Sequence, residues 1–179
     1  MKSPELIAKE LAAFFPSASI GWKPQTKPFE RDGKHFAMAV CYIDARDVMD
    51  RLDAVVGVGG WQDTYESAGD GQGKCRLAVM IDGIWITKED VGGQSDQDDK
   101  GDRAKAAYSD ALKRAAIKFG VGRYLYGVPK QWPECKLDKN GKYAGWVKDP
   151  PMPPAFMNDA DRQHQQNLAD VGKPKAGAA

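Results

Sequence analysis

The chain has 179 residues, of which 42% are hydrophobic and 28% charged, and its formal net charge is +1. This is enough apolar sequence for the core of one domain, and no apolar run approaches the ~20 residues that a membrane-spanning helix requires. The near-zero net charge gives no sign of a nucleic-acid partner, which only the distribution of charge could reveal. No apolar signal-peptide region opens the sequence, so we expect an intracellular protein of the cytoplasm or nucleoid.

The first third of the chain predicts two helices with a strand between them. Ser3-Pro4-Glu5 is typical of a helix start, and the helix should continue to Pro16. Residues 21–35, rich in Gly, Pro and Lys, read as a loop, and residues 35–43 as one buried strand. Asp44 should then cap a helix over residues 45–56.

Three consecutive strands are predicted next, over residues 61–68, 74–81 and 84–91. The first alternates polar and apolar residues, as a half-buried strand does. Asp82-Gly83, between the second and third strands, is a strong hairpin signal. The segment is therefore an antiparallel meander, and we expect Trp61 and Trp85 to lie in its core.

An amphipathic helix follows the meander. Its apolar positions recur every three or four residues and are mostly alanine: Ala104, Ala107, Tyr108, Ala111, Leu112, Ala115, Ala116 and Phe119. Gly120 is typical of a helix stop. The other faces are basic, because residues 100–123 hold seven Lys or Arg and two Asp, a local balance of 7 − 2 = +5. One face of this helix has small apolar side chains and the other faces are cationic. This pattern is typical of a helix that binds a polyanion, although a solvated surface helix has the same pattern.

Several short motifs stand in a fixed order along this region: Cys41-Tyr42-Ile43-Asp44, Gly60-Trp61, Glu89-Asp90-Val91-Gly92, residues 109–115 (SDALKRA) and Phe119-Gly120. Together they resemble the Rad fifty-two family of recombination mediators, with its phage and bacterial single-strand annealing relatives, over about residues 33–128. The resemblance implies an α+β fold in which an antiparallel β-meander is packed by the basic helix, a β-β-β-α core. It also implies rings of many subunits with single-stranded DNA in a basic groove.

The resemblance assigns Lys113 and Arg114 to the lining of that groove. Lys118, near the end of the helix, and Arg123, just beyond Gly120, are further candidates. The chain departs from the family pattern in three places: Arg46-Asp47 stands where a His-Arg pair is usual, Val58 where an aromatic is usual, and Ile81 near a lysine of a second DNA site. Arg46 remains a candidate contact, and the second site would depend on Lys100, Arg103 or Lys105.

The implied function is sequence-independent binding of single-stranded DNA and annealing of complementary strands without ATP, in homologous recombination and double-strand break repair. No cofactor is expected, since the glycines of residues 56–61 precede a strand rather than a helix and form no nucleotide loop. The implied partners are single-stranded DNA, further copies of the chain and a host single-strand-binding or recombination protein.

Three alternatives stay open. A DNA-end-protecting binder would not anneal strands, and a structural oligomer or protein-binding module would lack affinity for polyanions. A metal-dependent nuclease would use the acidic side chains around the end of the meander, namely Glu89, Asp90, Asp96, Asp98, Asp99 and Asp102. Those acids would otherwise repel DNA from one face, or Asp90 would bond the nearby backbone.

The remaining expectations concern the aromatics, the cysteines and the C-terminal region. Tyr124 and Tyr126 alternate as in a strand and would pack in the core or stack on a base. The cysteines are odd in number and lack metal-ligand spacing, so we expect reduced thiols, two in strands and one in a loop. Residues 1–148 should form the DNA-binding domain, and residues 149–179 a disordered Pro-rich and polar tail.

Overall fold

The computed structural model describes residues 2–93 and 100–171. The helices are α1 (Pro4–Leu11), α2 (Ala45–Val56), α3 (Lys100–Ile117) and α4 (Asp159–Val171), and the strands are β1 (Gly21–Pro24), β2 (Phe29–Arg31), β3 (Lys34–Phe36), β4 (Ala39–Tyr42), β5 (Trp61–Gly69), β6 (Gln72–Ile81), β7 (Ile84–Gly92), β8 (Glu134–Leu137) and β9 (Tyr143–Trp146). The fold is α+β with antiparallel sheets, as predicted. The chain forms two compact units: unit 1 contains Met1–Ala13 and Tyr42–Gly127, and unit 2 contains Phe14–Cys41 and Val128–Ala179.

Unit 1 contains the predicted meander, with strand order β5-β6-β7. Asp82 and Gly83 both have positive φ, 52° and 75°, as the tight turn between two strands of right-handed twist requires. The helix α3 packs on one face of β6 and β7. The layer between them is fully buried and consists of Cys75, Leu77, Val79, Ala107, Ala111 and Ala115. The alanine stripe of α3 is thus a packing surface, except that Ala104 is exposed.

Two glycines let α3 approach the sheet closely. Gly73 and Gly92 are cross-strand partners of β6 and β7 and lie directly beneath the helix. A Cβ atom on Gly92 would stand 2.0 Å from the carbonyl oxygen of Ala107, and one on Gly73 would stand 2.5 Å from the ring of Tyr108. Glycine at both positions is therefore a condition of this helix–sheet contact.

The helices α1 and α2 complete unit 1. α2 begins with the predicted cap, in which the Asp44 side chain accepts from the backbone N–H of Asp47 and the Asp47 carboxylate accepts from the Asp44 N–H. Arg51 of α2 donates to the carbonyl oxygens of Glu10, Leu11 and Ala13 and so satisfies the C-terminal end of α1. α1 ends at Leu11, earlier than the predicted end at Pro16.

Unit 2 differs from the sequence-based expectation. The predicted loop over residues 21–35 contains β1 and β2 and the start of β3, and the single strand predicted over residues 35–43 is divided into β3 and β4. β2, β3, β8 and β9 form one sheet in that order, and β1 pairs with β4. β3 pairs with β8 through His35 and Cys135, so the strand is stabilised by a partner far along the chain that no local pattern indicates.

The region predicted as a disordered tail contains ordered elements as far as residue 171. Met152 and Met157 are buried. α4 follows, and Asp161 in its first turn accepts hydrogen bonds from the backbone N–H and the hydroxyl of Ser17, at 2.6 and 2.8 Å. The apolar anchors and this long-range bond explain why a Pro-rich and polar composition is nonetheless ordered here.

The cysteines Cys41, Cys75 and Cys135, all within the described residues, form no disulfide. All three lie in strands, so the prediction that one lies in a loop is wrong. No helix in residues 2–93 or 100–171 is long and apolar enough to cross a membrane.

Candidate nucleic-acid interface

The cations along α3 form two rows on its surface, the first with Arg114 and Lys118 and the second with Lys105 and Lys113. Successive residues of an α-helix point about 100° apart, so Lys113 and Arg114 diverge although they are neighbours in sequence. Arg114 and Lys118, one turn apart, lie beside β7, which is an edge strand of the meander. The Lys113 ammonium lies over the ring of Tyr42, 5.9 Å from its centroid. Lys113 and Arg114, the predicted pair, therefore lie on two adjacent sides of the helix.

Asp90 of β7 binds both cations of the first row. Its Oδ1 lies 3.2 Å from Nε of Arg114, and its Oδ2 lies 3.1 Å from the Lys118 ammonium. Oδ1 also accepts from the backbone N–H of Val91, which is the bond to nearby backbone that the sequence suggested. The side chains of Arg114 and Lys118 are each 46% exposed, against 20% for Asp90. The carboxylate thus holds the charged groups of Arg114 and Lys118 in place, while about half of each side chain remains exposed to solvent.

The charge state of Asp90 follows from these contacts. Partial burial alone would raise the pKa of its carboxyl, but the Val91 hydrogen bond and the charges of Lys118 and Arg114 outweigh burial and lower the pKa below its ordinary value of 3.8. Asp90 is therefore ionised at neutral pH.

Lys118 and Arg123 make backbone contacts that set the end of α3. Lys118 donates to the carbonyl oxygen of Glu89. Arg123 donates from Nε to the carbonyl oxygen of Ile117 and from Nη2 to that of Lys118, both at 2.9 Å. The two Arg123 bonds satisfy carbonyl groups that the last turn of a helix leaves open, whereas the Lys118 bond ties the end of α3 to β7. Arg123 thus has a structural role at the position where the sequence predicted a DNA contact.

A groove of about 480 Å³ lies on the other side of α3, between that helix, α2 and β5. Its lining is mainly apolar: Ala45, Met49, Tyr65, Lys105, Tyr108, Ser109 and Leu112. The rings of Tyr65 and Tyr108 meet edge to face, with centroids 5.3 Å apart. Lys105, Ser109 and Lys113 are spaced four residues apart, so they follow one side of the helix at about 6 Å intervals.

The other predicted contacts are scattered. Lys105 pairs with Asp102 at 3.1 Å, and both side chains are largely exposed. Arg103 is half-buried on α3, and Arg46 is exposed in the first turn of α2. Lys100 begins α3, but its side chain lies outside the described residues. In the part of the chain that the structure describes, the contacts of Arg103 and Lys105 do not join these two into a separate site.

Among the described residues, no three His, Cys, Asp or Glu side chains are grouped so as to hold a metal ion. Glu89 pairs with Lys74 and Arg76 on the opposite face of the meander from Asp90. Asp96, Asp98 and Asp99 lie outside the described residues. The acids of the nuclease alternative are therefore not assembled in the part of the chain that the structure describes.

The predicted positions of the aromatics need correction. Trp61 is half-buried and donates from Nε1 to Asp53, and Trp85 is 40% exposed, so neither is a core residue. Residues 123–127 form a short 3₁₀ helix rather than a strand, and Tyr126 is 73% exposed. Trp85 is exposed because it lies on the same face of β7 as Glu89, opposite to the face that α3 covers.

The site and the fold define a class of α+β protein in which a cation-bearing helix lies across a three-stranded antiparallel meander. A family model described as Rad52/22 family double-strand break repair protein matches residues 3–143. The chain belongs to this family, as its motifs predict.

Two relatives carry the name single-stranded DNA-binding protein DdrA. The protein of Deinococcus deserti is 36% identical over 164 residues, which cover 90% of this chain and 73% of the relative. The protein of Deinococcus radiodurans is 40% identical over 140 residues, which cover 75% of this chain and 62% of the relative. The similarity thus extends through both units.

Proposed function

We propose that the protein binds single-stranded DNA without regard to sequence and promotes annealing of complementary strands without ATP, as a non-enzymatic component of double-strand break repair. Membership of the Rad52/22 family and the DdrA relatives support this proposal. The observation that carries it is the double row of cations on α3: Asp90 fixes Arg114 and Lys118, and the second row has Lys105 at the groove beside α2 and Lys113 over Tyr42.

Phosphate groups supply most of the affinity in sequence-independent binding, through Lys and Arg. An arginine has five N–H donors, and the bond to Asp90 engages Nε of Arg114, so the guanidinium is oriented before DNA arrives. Lys113, held over Tyr42, supplies a second charge about 100° around the helix. A single DNA strand lying along α3 would contact both rows of cations.

The proposal includes assembly of many subunits. Several apolar side chains of the meander remain exposed in a single copy: Tyr65, Ile84, Trp85, Ile86 and Val91. Exposed apolar side chains on a sheet favour association, and a head-to-tail contact closes into a ring when its rotation allows. We expect light scattering at micromolar concentration to report a particle far heavier than the 19.6 kDa chain.

The test compares binding with annealing. Fluorescence anisotropy of labelled single strands, duplexes and unrelated sequences should give tight single-strand binding, weaker duplex binding and no sequence preference. Affinity should fall with salt at a slope of about −0.7 per phosphate neutralised. Annealing of complementary strands should accelerate without nucleotide. Binding without acceleration would identify an end-protecting binder, and absence of single-strand binding would contradict the proposal.

A further inference from the structure

The sheet of unit 2 carries a group of aromatic side chains on one exposed face. Phe29 of β2 is the cross-strand partner of Phe36 of β3, and their ring centroids are 6.1 Å apart. Trp132, just before β8, meets Phe29 edge to face at 5.7 Å. Phe29 is 43% exposed and Trp132 50% exposed. Large rings normally bury most of their surface, so exposed rings in contact with each other indicate a binding surface.

Cations surround these rings on the same face. Paired residues of antiparallel strands share a face, and side chains two residues apart along a strand point the same way. The register therefore puts Arg31 and Lys34 beside the phenylalanines, and Lys136 on that face of β8. The bond of 2.8 Å between Lys34 and Glu134 agrees with this placement. We call this surface the aromatic face, comprising Phe29, Arg31, Lys34, Phe36, Trp132 and Lys136.

The opposite face of the same sheet is turned inward at β8. Cys135, between Glu134 and Lys136, is buried, whereas Arg31 and Lys34 of the aromatic face have side chains that are 76% and 59% exposed. The rings of the aromatic face are therefore not the core of unit 2. Their exposure is a property of a solvent-facing surface with three cations and two carboxylates, Glu134 beside Lys34 and Asp32 beside Arg31 at 3.5 Å, which leaves a net positive charge.

We infer that the aromatic face is a second contact surface for single-stranded DNA, at which unpaired bases stack on Phe29 and Trp132 while Arg31, Lys34 and Lys136 meet the phosphates. Stacking needs a flat ring with an accessible side, and the excess of positive charge selects an anionic strand. In a duplex the bases are already stacked inside, so this surface would favour single strands. The inference takes its ligand from the proposed function but rests on different residues.

The test uses strands that differ only in their bases. An oligothymidylate and an abasic strand of equal length carry the same phosphate charge, so their affinity ratio reports stacking. In Phe29→Leu/Trp132→Leu this ratio should fall by roughly five-fold or more, since stacking is lost. Phe29→Tyr/Trp132→Phe retains two rings and should preserve the ratio. Circular dichroism and thermal melting check that both variants fold.

The outcomes separate the two proposals. If the wild-type protein binds neither strand, the proposed function fails, and the second surface loses its ligand with it. If the wild-type protein binds and the leucine variant keeps the wild-type ratio, only the aromatic face is excluded. A leucine variant that changes particle mass in light scattering but keeps the ratio would make this face a contact between copies, and would also overturn the inference.

Discussion

Asp90 Oδ1 and Arg114 Nε lie 3.2 Å apart, and they join the two most specific motifs of the sequence, residues 89–92 and residues 109–115. The carboxylate orients the guanidinium, but it also neutralises positive charge that would otherwise attract a DNA phosphate. Asp90 is thus both a support for the cation row and a competitor of DNA. These two effects can be separated by a substitution that retains shape and removes charge.

Asp90→Asn should bind single-stranded DNA several-fold more tightly at low salt, because two cations lose their carboxylate while the amide oxygen still accepts from the Val91 N–H. The free energy of unfolding should fall by about 1 kcal/mol or less, as for other partly exposed ion pairs. Anisotropy titrations and urea unfolding measure the two effects. Glu10→Gln, which breaks the exposed Lys2–Glu10 pair, is the matched control and should leave DNA affinity unchanged. Weaker binding by Asp90→Asn would mean that orientation outweighs competition.

The pH dependence of stability should also depend on Asp90. A carboxyl whose pKa is lower in the folded state contributes stability above its unfolded pKa and loses it as the pH falls through the folded value. The stability difference between the wild-type protein and Asp90→Asn should therefore be constant at neutral pH and shrink below about pH 4. Urea unfolding between pH 6 and pH 3 measures it, and a difference that grows on acidification would contradict the ion-pair arrangement.

Lys113→Ala/Arg114→Ala removes one cation from each of the two rows along α3. Alanine suits a helix, so thermal melting should change little. Single-strand affinity should drop by an order of magnitude or more, since each subunit of an assembly loses the same charges, and annealing should fall with it. Lys9→Ala/Lys139→Ala removes two exposed charges elsewhere and is the control. If annealing by a folded double variant matched that of the wild-type protein, these residues would not be part of the site.

Gly92→Ala should be among the most destabilising single substitutions in unit 1. The added methyl would meet the backbone of Ala107 and Ala111, which cannot move without separating α3 from β7. We expect a loss of about 3 kcal/mol or more, typical of severe overpacking. Gly93→Ala, where an added Cβ has open space, should cost little. Similar melting temperatures for the two variants would show that α3 can shift away from the sheet at low cost.

The sequence predicts unit 1 well because its signals are local. The Asp82-Gly83 turn, the Asp44 cap and the alanine stripe of α3 each act within a few residues, and each is confirmed. Unit 2 is predicted poorly because its strands are short and β3 finds its partner β8 about a hundred residues later. No periodicity over residues 21–36 could indicate that pairing.

The candidate site was predictable in part. The charge balance of residues 100–123 identifies α3, and helical spacing puts Arg114 and Lys118 on one side. The bridging position of Asp90 depends on how α3 crosses β7, which sequence spacing does not give. The carbonyl contacts of Arg123 and the exposed rings of Phe29 and Trp132 likewise depend on tertiary packing.

The pairing of His35 with Cys135 also has a consequence for the order of folding. Closing a loop of about 100 residues costs roughly 2 kcal/mol more entropy than closing one of about 10, so the hairpins of the meander should form well before this pair. Once residues 42–127 have collapsed, the span still to be closed is effectively shorter. During synthesis, moreover, β3 must wait until the ribosome has delivered β8. We therefore expect amide hydrogens of β6 to gain protection from exchange earlier than those of β3 in a refolding experiment.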